Sequence, residues 1–445
     1  MLPGPDDFDH AGSTAAGVGP MNGQARSAQI QHQAGDKTAT RQLLLFFALV
    51  YVVEGLGQVG GLIAQPLNYY LKTTQSWTPL QITAFVSLFN LPWMIKPLYG
   101  LISDFVPLFG YRRKSYLILV NVAAIAGFIW TTQLSAPSDL FPALTVTAYA
   151  MAISSTLCGA LLVENGQRFH ESGSFVNQQW LWFNIAAMVA AVLGGQLVQH
   201  LPPDGALHSA AAIVAVAPLL VIGGALFLVP EQKAAINIAG MKETFEGLKA
   251  SFRRRELWLI AGFLFLYNFS PGLSTPLYFT MTDSLKFSQG YIGILGSINS
   301  AGWVVGALLY HRLFDHLTLR KLLNLSIVLG TITTAGFLLL SSEVSAAVIY
   351  FCSGFAAMLA TVASLTLAAD YCPPRAEGFT FAVLMSISNL ASSLADNVGS
   401  FLYTRLFDHN LSPLVLISAA FTALAFVLVP LLQLGDKKPG EPWQP

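Results

Sequence analysis

Charge is what this sequence has least of. Asp, Glu, Lys and Arg make up 10% of its 445 residues, against about 25% in soluble domains. So little charge cannot clothe a large water-facing surface. It argues against the roughly three soluble domains that length alone allows. Formal net charge is zero, so the bulk balance favours no nucleic-acid partner. Cysteine is scarce: Cys158, Cys352 and Cys372 form neither a C-x-x-C pair nor a metal spacing. Cys158 and Cys352 lie in apolar runs and read as small core residues. The eight His are dispersed and suggest no metal cluster. No G-x-x-x-x-G-K-S/T phosphate loop occurs, which argues against ATP hydrolysis by this chain. H-E-x-x-H and G-x-S-x-G are absent too. The chain does not read as an enzyme, and no cofactor is expected.

What it has is hydrophobicity. Apolar residues make up 54%, with 30 Phe and 37 Gly, and Gly is well tolerated in lipid-embedded helices. Residues 1–40 are polar and lack the apolar core of a signal peptide. They read as a disordered cytoplasmic tail. From Arg41 onward, apolar segments of about 20 residues recur, the length a helix needs to cross roughly 30 Å of hydrocarbon. They fall near 43–70, 79–102, 115–135, 140–164, 176–200 and 207–230, then near 256–282, 288–311, 322–341, 344–369, 379–402 and 412–434. The expectation is an all-α membrane protein of twelve spans in two six-helix bundles, 41–230 and 256–434, with a short tail at 435–445.

Basic residues orient it. With the amino terminus inside, Lys and Arg crowd the cytoplasmic loops, including Arg112, Arg113 and Lys114 and the run Arg253 to Arg255. Lys72, Lys286 and Arg405 fall outside, and Lys96 lies within a span. That asymmetry puts both termini in the cytoplasm of a cell or inner membrane. The middle loop, 231–255, sets Met241, Phe245, Leu248 and Phe252 on one helical face. It reads as an amphipathic strap at the interface, with a calmodulin-target-like helix as the alternative.

The halves repeat each other. One spacing separates Gly100 from Gly306, Glu164 from Asp370 and Glu171 from Glu377. Pro66-Leu67 and Pro276-Leu277 match at a slightly different spacing, each followed by aromatics. The second copy keeps a basic turn, Arg320-Lys321, and has Tyr310 where the first has Asp104. Such repetition in a twelve-span chain is the signature of a transporter with two moving halves.

The stretch Gly100 to Ser115, GLISD followed by GYRRKS, resembles the cytoplasmic loop motif of the major facilitator superfamily. Extended by PW-x-IKPLYG before and VPLFGYRR between, it resembles the folate–biopterin transporter family. Tyr371 to Ala391, YCPPRAEGFTFAVLMSISNLA, resembles that family's junction of tenth and eleventh helices. Ala160 to Glu164, ALLVE, is a weaker match. Two positions depart from the pattern: Gly159 stands where an aspartate is usual, and Glu54 in YVVEGLGQ where an uncharged residue is. The resemblance implies transport of a folate- or pterin-like solute by alternating access.

Ionisable groups inside hydrocarbon cost about 2.5–3.5 kcal/mol on insertion scales and are functional candidates by default. Glu54 sits roughly 16 Å into the first helix at 1.5 Å per residue, with Gln58 one turn on. It reads as a proton-coupling carboxylate, a substrate counter-charge or a structurally paired acid. Lys96, between Pro92 and Pro97, either binds a substrate carboxylate or snorkels to the cytoplasmic interface. Asp396 either faces a cavity or pairs with Arg405. Asn268, Asn299 and Asn389 lie mid-span, where amides recognise a heterocycle or bond between helices. Trp182, Tyr267 and Trp303 stack on a flat ring or simply pack. Asp104, Arg112, Arg113, Glu164, Asp370, Arg375 and Glu377 cluster at the cytoplasmic helix ends, where the superfamily resemblance implies a gate for Asp104 and Arg112 or Arg113.

The expectation is a monomeric proton-coupled secondary transporter in a lipid bilayer. Its alternatives are a carrier of another small molecule, or a non-transporting assembly factor or sensor on the same fold.

Overall fold

The computed structural model describes residues 23–432, except 135, 170–171, 232, 236–245, 247–248, 250–251, 254, 315–316 and 371–376. Among the described residues, ten helices are long and apolar enough to cross a bilayer. The other two crossings are interrupted, and contain the shorter apolar helices Pro79–Leu88 and Leu257–Asn268. No strand occurs among the described residues, apart from one isolated bridge between Leu108 and Tyr111.

The first half comprises α1 (Gly23–Gly57, resuming as Ala64–Thr73), α2 (Pro79–Leu88, Leu91–Met94 and Lys96–Phe105), α3 (Lys114–Thr131), α4 (Pro137–Phe169), α5 (Ser172–His200) and α6 (Pro203–Val216 with Pro218–Phe227). The second comprises α7 (Arg255–Asn268, resuming as Ser274–Phe279), α8 (Gln289–Leu313), α9 (Leu319–Gly336), α10 (Glu343–Asp370), α11 (Glu377–Phe401) and α12 (Leu411–Leu428). Between the halves, α5 packs along α8, and α2 along α11. The architecture is that of the major facilitators, two six-helix pseudo-repeats side by side.

Three breaks shape the interior. In α1, Gly61 folds the chain back on itself, so that a Cβ there would lie 2.3 Å from the Leu56 carbonyl oxygen. In α2, Pro92 and Pro97 lack the N–H a helix needs. The chain turns at Asn90 and Ile95, with Trp93 N donating to Asn90 O and Leu98 N to Ile95 O, both at 3.0 Å. In α7 the sequence Phe269-Ser-Pro-Gly-Leu273 interrupts the helix.

Glycine also sets how closely helices approach. A Cβ on Gly293 of α8 would fall 2.5 Å from Ala191 O of α5, and one on Gly354 of α10 would fall 1.9 Å from Asn299 O of α8. Small residues are how membrane helices gain contact without a hydrophobic drive between them. The outer surface is apolar, with Phe227 80% and Val344 74% exposed, as a lipid-facing surface must be.

One expectation needs amendment. The tail read as disordered through residue 40 is helical from Gly23. Extending an existing helix adds one hydrogen bond per residue without a new nucleus, and the Ala- and Gln-rich segment permits it. Residues 1–22 and 433–445 lie outside the described residues, as do Met241, Phe245 and Leu248 of the amphipathic face. Phe252 is described, and packs against Trp258 with ring centroids 6.1 Å apart.

Gly293→Ala is expected to destabilise the fold by about 1–3 kcal/mol through overpacking. Gly223→Ala, with no atom within 4 Å of the new Cβ, is expected to be neutral or stabilising. Thermal melts of the detergent-solubilised variants check both.

Candidate functional site

The interior charges meet at one point. Ser155 of α4 donates to Glu54 Oε1 of α1 at 2.9 Å. Lys96 Nζ of α2 donates to Ser155 Oγ at 3.2 Å. The ammonium also sits 4.1 Å from the centroid of the Trp93 ring, within cation–π range. Glu54 Oε2 is buried and has no hydrogen-bond partner among the described residues. One turn away on the same two helices, Tyr51 and Cys158 are fully buried. Three helices of the first half thus share one cation–hydroxyl–carboxylate chain. Lys96 turns inward to it instead of reaching toward the interface, because Pro92 and Pro97 reorient the backbone on both sides of the side chain.

Beside this chain lies a cavity of about 220 Å³ between the halves. Gln58 and Gly60 from the α1 break, Asn90 and Trp93 from the α2 breaks, and Asn389 and Asp396 from α11 form its wall. Asn389 Nδ2 donates to Trp93 O at 3.3 Å and ties the two halves at mid-span. Asp396 rests on the α7 break: a Cβ on Gly272 would meet Asp396 Oδ1 at 2.0 Å, and Gly272 N donates to Ala395 O at 2.8 Å. The Ser274 hydroxyl lies beside the same carboxylate. No ion pair joins Asp396 to Arg405 among the described residues.

The structure gathers Gln58, Asn389 and Asp396 on one cavity, with Glu54 and Lys96 behind the indole of Trp93. It does not bring the other candidates there. Asn268 Nδ2 donates to Leu264 O of its own helix at 2.8 Å. Asn299 Nδ2 donates to Tyr350 O at 3.1 Å, across the α8–α10 contact. Trp182 donates to Gln178, and Trp303 packs on Trp180 with centroids 5.1 Å apart. Tyr267 bonds to Ser326 at 2.8 Å. For Asn268, Asn299, Trp182 and Tyr267 a nearby group pairs with the polar atom, as apolar surroundings demand. Asn90 and Trp93 were not anticipated; their signal is the pair of prolines around the Lys96 segment. The interruptions GLGQVGG in α1 and FSPGL in α7 occupy corresponding places in the two halves. Such paired interruptions point to the binding region of a transporter.

Charged residues form a second group at the face where both ends of the described chain lie. Arg113 is 7% exposed. Its Nη2 lies 2.8 Å from Asp104 Oδ1 and its Nη1 3.1 Å from Glu164 Oε2. Arg112 points outward. Glu231, which sequence reasoning missed, accepts from the backbone N–H groups of Arg112, Arg113 and Lys114 at 2.9, 3.0 and 2.8 Å. It supplies the acceptors that the first turn of α3 lacks. Arg375 and the side chains of Asp370 and Glu377 lie outside the described residues.

At the opposite face the halves are laced together. Lys72 pairs with Thr282 and Asp283, its ammonium 4.3 Å from the Phe279 ring centroid. Gln65 Nε2 donates to Gln289 O at 2.8 Å. The Thr83 and Ser400 hydroxyls lie 2.7 Å apart, and Asn397 donates to Ser87 at 2.6 Å. The repeat foreshadows this seam, since the register of Pro66-Leu67 on Pro276-Leu277 carries Lys72 onto Thr282.

The architecture and these interior breaks define a multi-pass membrane transporter. The chain belongs to the BT1 family, whose model matches residues 56–438. A folate-biopterin transporter of Synechocystis sp. is 30% identical over 88% of this chain and 82% of its own. Folate transporter 2 of Plasmodium falciparum is 24% identical, covering 86% of each. Among solved structures, the nucleoside transporter NupG aligns with a TM-score of 0.65 at 14% identity, over 89% of this chain and 98% of its own. The D-xylose–proton symporter aligns at 0.65 and 13%, over 88% and 96%. These likenesses carry the fold. The family is one of transporters, not enzymes, and implies a small-molecule substrate and a bilayer.

Removing Arg113 strands two carboxylates, one 41% and the other 58% exposed. The expected loss lies between that of an exposed pair and that of a buried one, about 1–3 kcal/mol. Arg112→Ala is expected to stay within about 0.5 kcal/mol of wild type. Melting curves of the two purified variants separate the arginines.

Proposed function

We propose that this chain carries a folate- or pterin-like solute by alternating access, coupled to protons. The folate and biopterin transporters among its relatives support the solute class. The observation that carries the mechanism is a polar cavity between the halves, lined by breaks in α1 and α2 and abutting the break in α7, with a buried carboxylate–hydroxyl–ammonium chain against it.

The two bundles, 41–230 and 256–434, are the moving units, joined by the strap at 231–255. The seam from Lys72 to Asn397 supports a state closed on that face. Opening requires the Lys72 pairs to part, while new contacts form at the face holding Asp104, Arg113 and Glu164, with Asp370, Arg375 and Glu377 as their counterparts. Both termini lie in the cytoplasm, the chain works as a monomer in the cell membrane, and the basic face is the inner one.

Coupling follows from charge balance. A buried ion without a partner costs several kcal/mol, so Glu54 and Lys96 hold each other ionised through Ser155. A proton on Glu54 removes the counter-charge and leaves Lys96 to lean on the Trp93 ring. Trp93 is also cavity wall. The proton and the solute therefore act on one side chain from its two sides. In this reading symport is the sharing of Trp93.

Proteoliposomes containing the protein should accumulate labelled biopterin or folate when a pH gradient is imposed, and only equilibrate without one. Glu54→Gln should abolish the accumulation and leave exchange of labelled for unlabelled solute within about threefold of wild type, a change of under 1.4 kcal/mol in barrier. Uptake of neither solute, or co-purification of a protein partner in place of a solute, overturns the reading.

A further inference from the structure

The cavity has a chemistry of its own, narrower than the range of folates and pterins for which the relatives are named. Among the described residues, Asp396 is the carboxylate that lines it, and no lysine or arginine does. Lys96 lies behind Trp93, bonded to Ser155. The remaining polar groups on the wall are carboxamides and the hydroxyls of Ser392 and Ser393. An anionic substituent placed here would face Asp396 at close range in a site of low dielectric, which disfavours it. A planar group with adjacent N–H donors would instead meet an acceptor-only carboxylate, the pairing that forms two parallel charge-assisted bonds. Trp93 offers a flat face for that ring, and Gln58 and Asn389 offer amides that both donate and accept.

Size points the same way. About 220 Å³ is below the roughly 300–1,000 Å³ of sites that enclose drug-sized ligands. A fused bicyclic ring with a short side chain fits a space of that size, whereas an added aryl group and amino acid extend beyond the lining residues.

The geometry points to Asp396 as the residue that selects the solute, accepting two hydrogen bonds from the cyclic amidine edge of a neutral 2-amino-4-oxopteridine held against Trp93. The site thus takes free pterins in preference to folates. This rests on the reading of the chain as a carrier of folate- or pterin-like solutes, and narrows it. Asp396 is held for the task by the Gly272 backbone, against which its Oδ1 is packed. The break in α7 that removes helical backbone at this point makes room for the carboxylate.

The test is binding to the purified full-length protein, read by quenching of tryptophan fluorescence, with three probes: biopterin, folic acid and lumazine. Lumazine carries a carbonyl in place of the 2-amino group, so it presents an acceptor where biopterin presents a donor. Wild type is expected to bind biopterin at least about tenfold more tightly than lumazine, the range of one lost hydrogen bond to a charged group, and more tightly than folic acid, whose carboxylates and added length the site does not favour. Asp396→Asn, whose amide both donates and accepts, is expected to reverse the order of biopterin and lumazine. A variant that merely misfolds loses both and cannot reverse them. If Asp396→Asn does not fold, the wild-type ranking still decides, since equal affinity for biopterin and lumazine contradicts the assignment. Folic acid binding as tightly as biopterin overturns the size argument. An unchanged order in a folded Asp396→Asn overturns the role of Asp396 and leaves the transporter reading intact. Failure of wild type to bind any pteridine overturns both.

Discussion

A lysine and a glutamate facing each other through one serine hydroxyl, inside a bundle whose core is mainly Leu, Phe, Val and Ala, is the constraint around which the first half is arranged. Each charge alone is costly at this depth. The pair is tolerable because α1, α2 and α4 converge to bring Glu54, Lys96 and Ser155 within hydrogen-bond range. That convergence fixes the register of three helices at once. It demands close packing nearby, which Gly55 provides, since a Cβ there would lie 2.7 Å from both Ala186 Cβ and Phe183 O of α5.

The second constraint is that backbone polar groups in a membrane need partners. A chain that breaks three helices mid-membrane exposes such groups, and it does so only where they border a cavity or another polar group. Here the breaks in α1, α2 and α7 surround or abut one space, with Asp396 filling the gap at Gly272 and Asn389 bonding to the Trp93 carbonyl. The polar seam running from Gln65 and Lys72 to Ser400 and Asn397 lies on one side of that space. Disassembling it requires both halves to move, which is why the seam and the cavity belong to one mechanism in the proposal above.

Much of the fold was legible in the sequence. Apolar length gave twelve crossings, and the basic loops and internal repeat supported two matched halves, because hydropathy and loop charge act locally and leave a linear record. The interruptions were less legible. Pro92 and Pro97 announced one break, but the glycine-rich break after Glu54 and the FSPGL break in α7 read as ordinary parts of long apolar runs. The site was partly legible for the same reason. A carboxylate or lysine in hydrocarbon is conspicuous, so Glu54, Lys96 and Asp396 stood out. Which amides and tryptophans share their space depends on helix rotation, which a sequence repeat does not fix. Asn299, Trp182 and Trp303 were placed by depth alone and turned out to face their own helices or neighbouring ones. Asn90 and Trp93, in a kink, escaped notice. Glu231 did too, because its partners are backbone N–H groups that no residue pattern advertises.

The most direct test of the central claim is a double-mutant cycle on Glu54 and Lys96. Melting free energies are measured for wild type, Glu54→Gln, Lys96→Met and the double variant. If the two residues hold each other ionised through Ser155, each single change strands the other charge. The double change then costs less than the sum by about 1–3 kcal/mol, the coupling expected of residues in one network. Additivity within about 0.5 kcal/mol would contradict the account, since it would mean that the two groups sit near each other without sharing a charge.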